Sequence, residues 1–262
     1  MKVRILGCGP SHGVPSLSRG FGECDPMEPK NIRSRTSALV TTNGGENILI
    51  DTSPEVRLQL IKAKTPKIDA VLYTHSHYDH MGGANDLAGF LIDRKEKLPI
   101  YLTKSDYEEI KAHLHYLFRA DNSPFEIHLI EPYCPFQIGK TTIIPILQYH
   151  GMQKSMGYRI DDLAYSTDLC SIDPEGLELL KGIKTWILGV VSLEKPENFK
   201  GAQKHIYLNE ALELISKIKP ENAFLTHMGQ KMDYDRLREI LPENIKPCFD
   251  GLEIEIFSQM SV

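Results

Sequence analysis

The chain has 262 residues, 35 acidic against 30 basic side chains, a formal charge of −5 and 41% hydrophobic content, a globular composition with length enough for one substantial domain over 1–262. No apolar run approaches the roughly 18 residues of a membrane-spanning helix, and Met1–Leu6 is too short for a signal-peptide core, so a cytoplasmic chain without a membrane partner is expected. The acidity lacks long like-charge runs, which argues against a stable nucleic-acid complex, and the five cysteines (Cys8, Cys24, Cys134, Cys170, Cys248) form no C-x-x-C pair, which fits a reducing compartment.

Lys2–Leu6 reads as a strand entering the Gly- and Pro-rich loop Gly7–Pro15, and an irregular stretch follows to Ile32. Thr36–Thr42 and Asn47–Asp51 read as a hairpin across Asn43-Gly44-Gly45. A helix over Glu55–Lys62 then precedes a buried strand, Ala70–Thr74, that delivers the chain to His75. Further helical patterns cover Gly83–Ile92, Lys104–Phe118, Pro174–Lys181, Leu208–Lys217 and Tyr234–Leu241. Strands interleave with them at Ile100–Leu102, Glu126–Ile130, Thr141–Tyr149, Gly157–Ile160, Ala164–Ser166, Thr185–Leu188, Ala223–Thr226 and Leu252–Phe257. Hairpins mixed with helices point to layered α/β architecture rather than a purely parallel wrap.

Chemistry concentrates in Tyr73-Thr74-His75-Ser76-His77-Tyr78-Asp79-His80-Met81-Gly82-Gly83, where four potential metal ligands share six positions. At a strand end, side chains two apart point the same way, so His75 and His77 can serve one ion, and Asp79 and His80 follow as the chain turns toward a helix. Imidazole and carboxylate donors suit zinc, or manganese where oxygen ligands increase. Four donors in one turn suggest two ions sharing them, with further ligands at other strand ends: His150, Asp168 and His227. His113 and His115 copy the H-x-H spacing inside a predicted helix, where about 200° of rotation separates them, and His128 reads as a strand-face residue. The Gly7–Gly13 loop has neither the lysine ending of a phosphate-binding loop nor dinucleotide spacing, and its His12 is a candidate substrate contact. Arg33 and Arg35, two apart at a strand entry, would share a face and could hold a phosphate; the alternative is pairing with surface carboxylates.

The H-x-H-x-D-H run followed by isolated His, Asp and His resembles the binuclear metallo-β-lactamase superfamily of hydrolases. The opening Gly7-Cys8-Gly9-Pro10-Ser11-His12-Gly13-Val14-Pro15, Gly157-Tyr158, His205 and the ending Phe249-Asp250-Gly251-Leu252-Glu253-Ile254 look most similar to the PhnP-type cyclic phosphodiesterases of bacterial phosphonate breakdown. The resemblance implies an α/β fold, a four-layer αββα sandwich. It implies that His75, His77 and His150 hold one metal, that Asp79, His80 and His227 hold a second, and that Asp168 bridges them. A metal-bridging hydroxide would attack phosphorus in a small cyclic or nucleotide-like phosphodiester. His205 matches the family's proton donor to the leaving alkoxide, at an imidazole pKa near 6.5, and joins Asp79 as an expected catalytic residue. PhnP-type proteins can carry a third zinc on early-loop cysteines and a late histidine; here Cys24 is that loop's single cysteine and Gln230 replaces the histidine, so no third zinc is expected. Frequent dimers among relatives leave a homodimer open. The alternatives are a tRNA 3′-end endonuclease, whose basic exosite arm has no counterpart here, thioester hydrolysis of the glyoxalase II type, lactam hydrolysis, and a metal-binding protein without turnover.

Overall fold

Both faces of the early strands are apolar, and the fold buries both. The computed structural model describes residues 1–65, 67–91, 96–119, 123–195 and 200–257. Val3 and Ile5 of β1 (Lys2–Gly7), Ala38 and Val40 of β2 (Ser37–Thr41), Ile48 and Ile50 of β3 (Asn47–Ile50), and Ala70 and Leu72 of β4 (Ala70–Leu72) enter one core. The alternate residues Leu39, Leu49 and Val71 enter another, under α1 (Val56–Ala63), α3 (Ala84–Phe90) and α4 (Lys104–His113), as period-two side-chain alternation requires. Between β4 and α3 lies the four-residue helix α2 (Tyr78–Met81).

The first sheet runs in the order β15 (Glu253–Glu255), β1, β2, β3, β4, β5 (Leu98–Leu102), β6 (Phe125–Leu129); it is antiparallel as far as β3 and parallel from β3 to β6. The second runs β11 (Ser171–Ile172), β8 (Thr141–His150), β9 (Gln153–Ile160), β10 (Leu163–Ser166), β12 (Thr185–Gly189), β13 (Asn222–Thr226), β14 (Ile245–Pro247), with β7 (Phe136–Ile138) paired to β8. It too changes from antiparallel to parallel, at β10. Helices α5 (Pro174–Leu180), α6 (Leu208–Ile218) and α7 (Tyr234–Ile240) cover it through Leu180, Leu208, Ala211, Ile215 and Leu237. The layers are therefore helix, sheet, sheet, helix, the four-layer αββα sandwich that the resemblance implies.

Some elements depart from the sequence reading. Strands β7, β11 and β14 have two or three residues each, too few for a periodic pattern, and form only because a neighbouring strand supplies partners. β9 begins at Gln153, four residues before the expected start, because polar Gln153 and Lys154 still pair with His150 and Tyr149. α4 stops at His113 instead of Phe118: Leu114 closes the last turn onto Ile110, and the following residues turn away. His115 thus lies outside the helix, and it and His113 are both outside the core. Ile92, expected to end the helix after Gly83, lies outside the described residues. Among the described residues, no helix is long and apolar enough to cross a membrane.

Ile50 is wholly buried between the sheets. Ile50→Ala should lower unfolding free energy by about 2–5 kcal/mol, the usual cost of deleting a core side chain and leaving a cavity. Urea titration followed by the fluorescence of Trp186, the single tryptophan and fully buried, measures this directly.

Candidate metal centre

The strands of both sheets end on one rim, and the polar residues that follow them meet there. β4 leads to His75 and His77, α2 carries Asp79 and His80, β8 ends on His150, Asp168 follows β10, and His227 follows β13. Asp168 and His227 have left-handed backbones (φ 52 and 55), as does Asp51 after β3 (φ 60). Non-glycine residues adopt this conformation at a cost of order 1–3 kcal/mol, and here it turns each side chain back across the rim.

Among the described residues, four overlapping groups that could hold an ion result: His75 with His80 and Asp168, His150 with Asp168 and His205, and two that carry the expected sets. His75, His77 and His150 form one, with His75 Nε2 at 2.9 Å from His77 Nδ1. Asp79, His80 and His227 form the other. In each, one donor atom from every residue lies within 4.8 Å of the others. Asp168 stands between the clusters. Its Oδ1 is 3.6 Å from His150 Nε2, and its Oδ2 is 3.1 Å from His80 Nε2 and 3.3 Å from His227 Nε2. The structure thus brings together all seven residues that the sequence placed at two metals.

Neighbouring groups fix which nitrogen faces inward. His150 Nδ1 donates to Lys204 O at 2.7 Å, so its Nε2 keeps the lone pair. His80 Nδ1 donates to Asp51 Oδ2 at 2.7 Å, and Asp51 also accepts from Thr74 N and Thr74 Oγ1, both at 2.8 Å. Sequence reasoning missed Asp51 and the Lys204 carbonyl. Asp51 could have been found by the rule that found the others, a donor directly after a strand; a main-chain acceptor carries no sequence signal.

The charges bear on what the centre could hold. Burial disfavours ionised Asp79 and Asp168, yet His80 and His227 hold both carboxyls below the usual carboxylate range. Burial likewise opposes protonation of His80 and His227, but Asp168 and Asp79 outweigh it and raise both imidazoles. His75 and His150 are pushed down, chiefly by burial. His80 Nε2 and both His227 nitrogens are buried without a hydrogen-bond partner. Buried anions facing unpartnered nitrogen donors form a set that a divalent cation fits, since it would satisfy the lone pairs and the carboxylates together.

His205 joins the rim with Nδ1 at 3.6 Å from Asp168 Oδ1 and its ring stacked on His227, centroids 5.1 Å apart. Burial and the neighbouring His227 depress its pKa to about 3, a direction that favours the neutral imidazole over the protonated donor. A cleft of about 770 Å³ opens from His205 and His227 and is bordered by His12, Arg19 and Lys231. His12, the candidate substrate contact, is exposed and lines this cleft.

The two arginines do not converge there. Arg33 is 1% exposed and donates to Asn31 Oδ1, Gly229 O and Met232 O, so its expected substrate contact is corrected: its guanidinium is spent inside the protein. Arg35 forks onto the Glu55 carboxylate, the carboxylate pairing that stood as the alternative. All five cysteines are free, and among the described residues no metal-capable group includes one. His128 stacks on Tyr101 with centroids 4.7 Å apart, away from the rim.

Comparisons with known proteins give the family and the fold. Residues 46–228 match the model of the β-lactamase superfamily domain. An octanoyltransferase of Porphyromonas gingivalis is 32% identical over 258 residues, 97% of this chain and 51% of that protein, so the chain spans about half that relative's length. Among solved structures, a diphosphatase from the PhnP family is similar with a TM-score of 0.88 and 27% identity over 98% of both chains. Zinc-bound PqqB from Methylobacterium extorquens (TM-score 0.80, 16% identity, 98% of this chain and 100% of that one) shares the fold. So does the short form of human tRNase Z (TM-score 0.72, 17% identity, 98% and 100%).

Asp51 touches no cation position yet orients His80. Asp51→Asn should lower divalent-cation affinity about 10–100-fold while the protein stays folded. Titrating metal-free protein against a competing chelator gives the affinity, and circular dichroism checks the fold.

Proposed function

The chain belongs to the β-lactamase superfamily, hydrolases of the metallo-β-lactamase fold, and from that premise we propose that it is a two-metal phosphodiesterase acting on a small cyclic or nucleotide-like phosphodiester. The observation that carries the reading is Asp168, one oxygen turned to His150 and the other to His80 and His227, as a carboxylate shared by two cations would stand. His75, His77 and His150 would hold one cation, Asp79, His80 and His227 the other; zinc is the first choice and manganese the second, given the nitrogen-rich donors. When bound, such cations supply an activated water near neutral pH and polarise a phosphoryl oxygen.

The chain's own residues do the rest. His150 and His80 are locked by Lys204 O and Asp51, so neither donor set reorganises as charge develops. His205, neutral and beside Asp168, would present an N–H to the leaving oxygen as a hydrogen-bond donor rather than an acid. The cleft volume of about 770 Å³ suits a sugar phosphate or nucleotide, and Arg19 on its border suits an anionic one, Lys231 there being paired with Glu23 at 3.4 Å. Similarity to a PhnP-family diphosphatase along nearly the whole chain favours phosphorus over a carbonyl electrophile. The octanoyltransferase activity belongs to a protein about twice as long and is not carried over. Small-molecule turnover without a stable nucleic-acid complex is the expected mode.

Metal-free protein should be inactive and regain turnover of bis-aryl phosphodiesters, cyclic nucleotides or phosphoribosyl cyclic phosphate on addition of zinc or manganese. A fully loaded protein that hydrolyses S-lactoylglutathione or a lactam and none of these phosphodiesters would overturn the reading. His205→Ala should lower kcat by about 10²–10³, the usual loss for one transition-state hydrogen-bond donor, with both cation affinities retained, a contrast that steady-state kinetics and metal titration together resolve.

A further inference from the structure

Arg33 is among the largest wholly buried side chains in the protein. A buried guanidinium is tolerated only where acceptors meet its donors, and removing them is costly. Among the described residues no carboxylate forms an ion pair with it. Its acceptors are neutral: Nη1 donates to Gly229 O at 3.3 Å, and Nη2 donates to Met232 O at 2.5 Å and Asn31 Oδ1 at 2.9 Å, while Nε is buried without a hydrogen-bond partner. Asn31 is fully buried and itself committed, donating from Nδ2 to Asp233 Oδ2 at 2.7 Å and to Asp25 O at 3.0 Å, and accepting from Tyr234 N at 2.9 Å.

Both carbonyls that Arg33 holds lie in the loop directly after His227. Gly229 is the joint of that loop. Its carbonyl accepts from Arg33, and its N–H donates to Val191 O at 3.0 Å, while Val191 N reaches Ile206 O, beside His205. A Cβ at position 229 would stand 2.7 Å from Val191 O, so only glycine permits this approach. The backbone of Arg33 pairs in both directions with Val14, at 2.8 and 2.9 Å, two residues from His12. One side chain and its own peptide groups thus tie the loops bearing His12, His227 and, through Val191, His205.

We infer that Arg33 is a positioning residue whose guanidinium clamps residues 229–232 and thereby sets where His227 stands against Asp79, His80 and Asp168, tuning cation binding at that cluster without touching cation or substrate. The inference rests on reading the cluster as a cation site. Cation affinity, not turnover, reports on it, so a protein that binds two cations but cleaves no phosphodiester would overturn the proposed activity while the same titration still decided the role of Arg33.

The test titrates metal-free wild type, Arg33→Gln and Arg33→Lys with Zn²⁺ against a competing chelator, and with Co²⁺ followed by its visible absorption. His227→Ala identifies the site concerned. Arg33→Gln should weaken that site about tenfold or more and alter its Co²⁺ spectrum, with the other site within about twofold of wild type. Arg33→Lys, which keeps the charge but not the forked donors, should fall between. If Arg33→Gln does not fold, Arg33→Lys decides by the same criterion. Both affinities and the spectrum unchanged, whatever the melting temperature, would reduce Arg33 to a stabilising residue and overturn the inference; so would equal weakening of both sites, or wild-type protein that binds no cation at the His227 cluster.

Discussion

An ionised carboxylate is stable inside a protein only where opposite charge or strong donors surround it, and the centre of this molecule is organised around that requirement at Asp168. Asp168 is 2% exposed, and four imidazoles, those of His80, His150, His205 and His227, lie within 3.6 Å of its oxygens. Those imidazoles come from four separate stretches of chain. The two sheets must therefore be assembled, and their ends aligned, before the carboxylate has its partners. A cation held at this rim would therefore be coupled to folding.

The architecture meets that demand with rigid strands and a few strained joints. Both faces of the first sheet are buried, one against the second sheet and one against helices, which leaves the strand ends little freedom. The left-handed residues Asp51, Asp168 and His227 sit at those ends. At Asp51 the conformational cost is met by the interactions that the turned-back side chain gains. Three donors converge on its buried carboxylate, and the result is a fixed orientation for His80.

Around the rim, chemistry and support are divided between loops. The cleft side carries His12, Arg19, Lys231 and His205, and no strand supplies any of them. Loops of this kind can accommodate different substrates while the rim beneath stays constant. Their mutual position depends on main-chain contacts such as Gly229 with Val191 and Arg33 with Val14.

The H-x-H-x-D-H run is legible because four donors in six positions is improbable for an ordinary loop, and the strand before it can be read from its apolar run. His150, Asp168 and His227 are legible as donors after strands, and the layered fold as strands interleaved with helices. The pairing of each donor with a cluster is not local information, and neither are strands as short as β11 or β14. Burial overturns the reading of Arg33: a cationic residue near a loop looks like an anion binder until the fold closes over it. His205 keeps its place while its pKa is pushed down, because an imidazole's pKa depends on burial and on neighbours far away in sequence. The sequence by itself determined which donors exist and which strands carry them, since periodicity and spacing are local properties. Tertiary structure alone decided which oxygen of Asp168 faces which imidazole, which arginine is buried and which way the His205 pKa moves, because each depends on residues brought together only when the two sheets close.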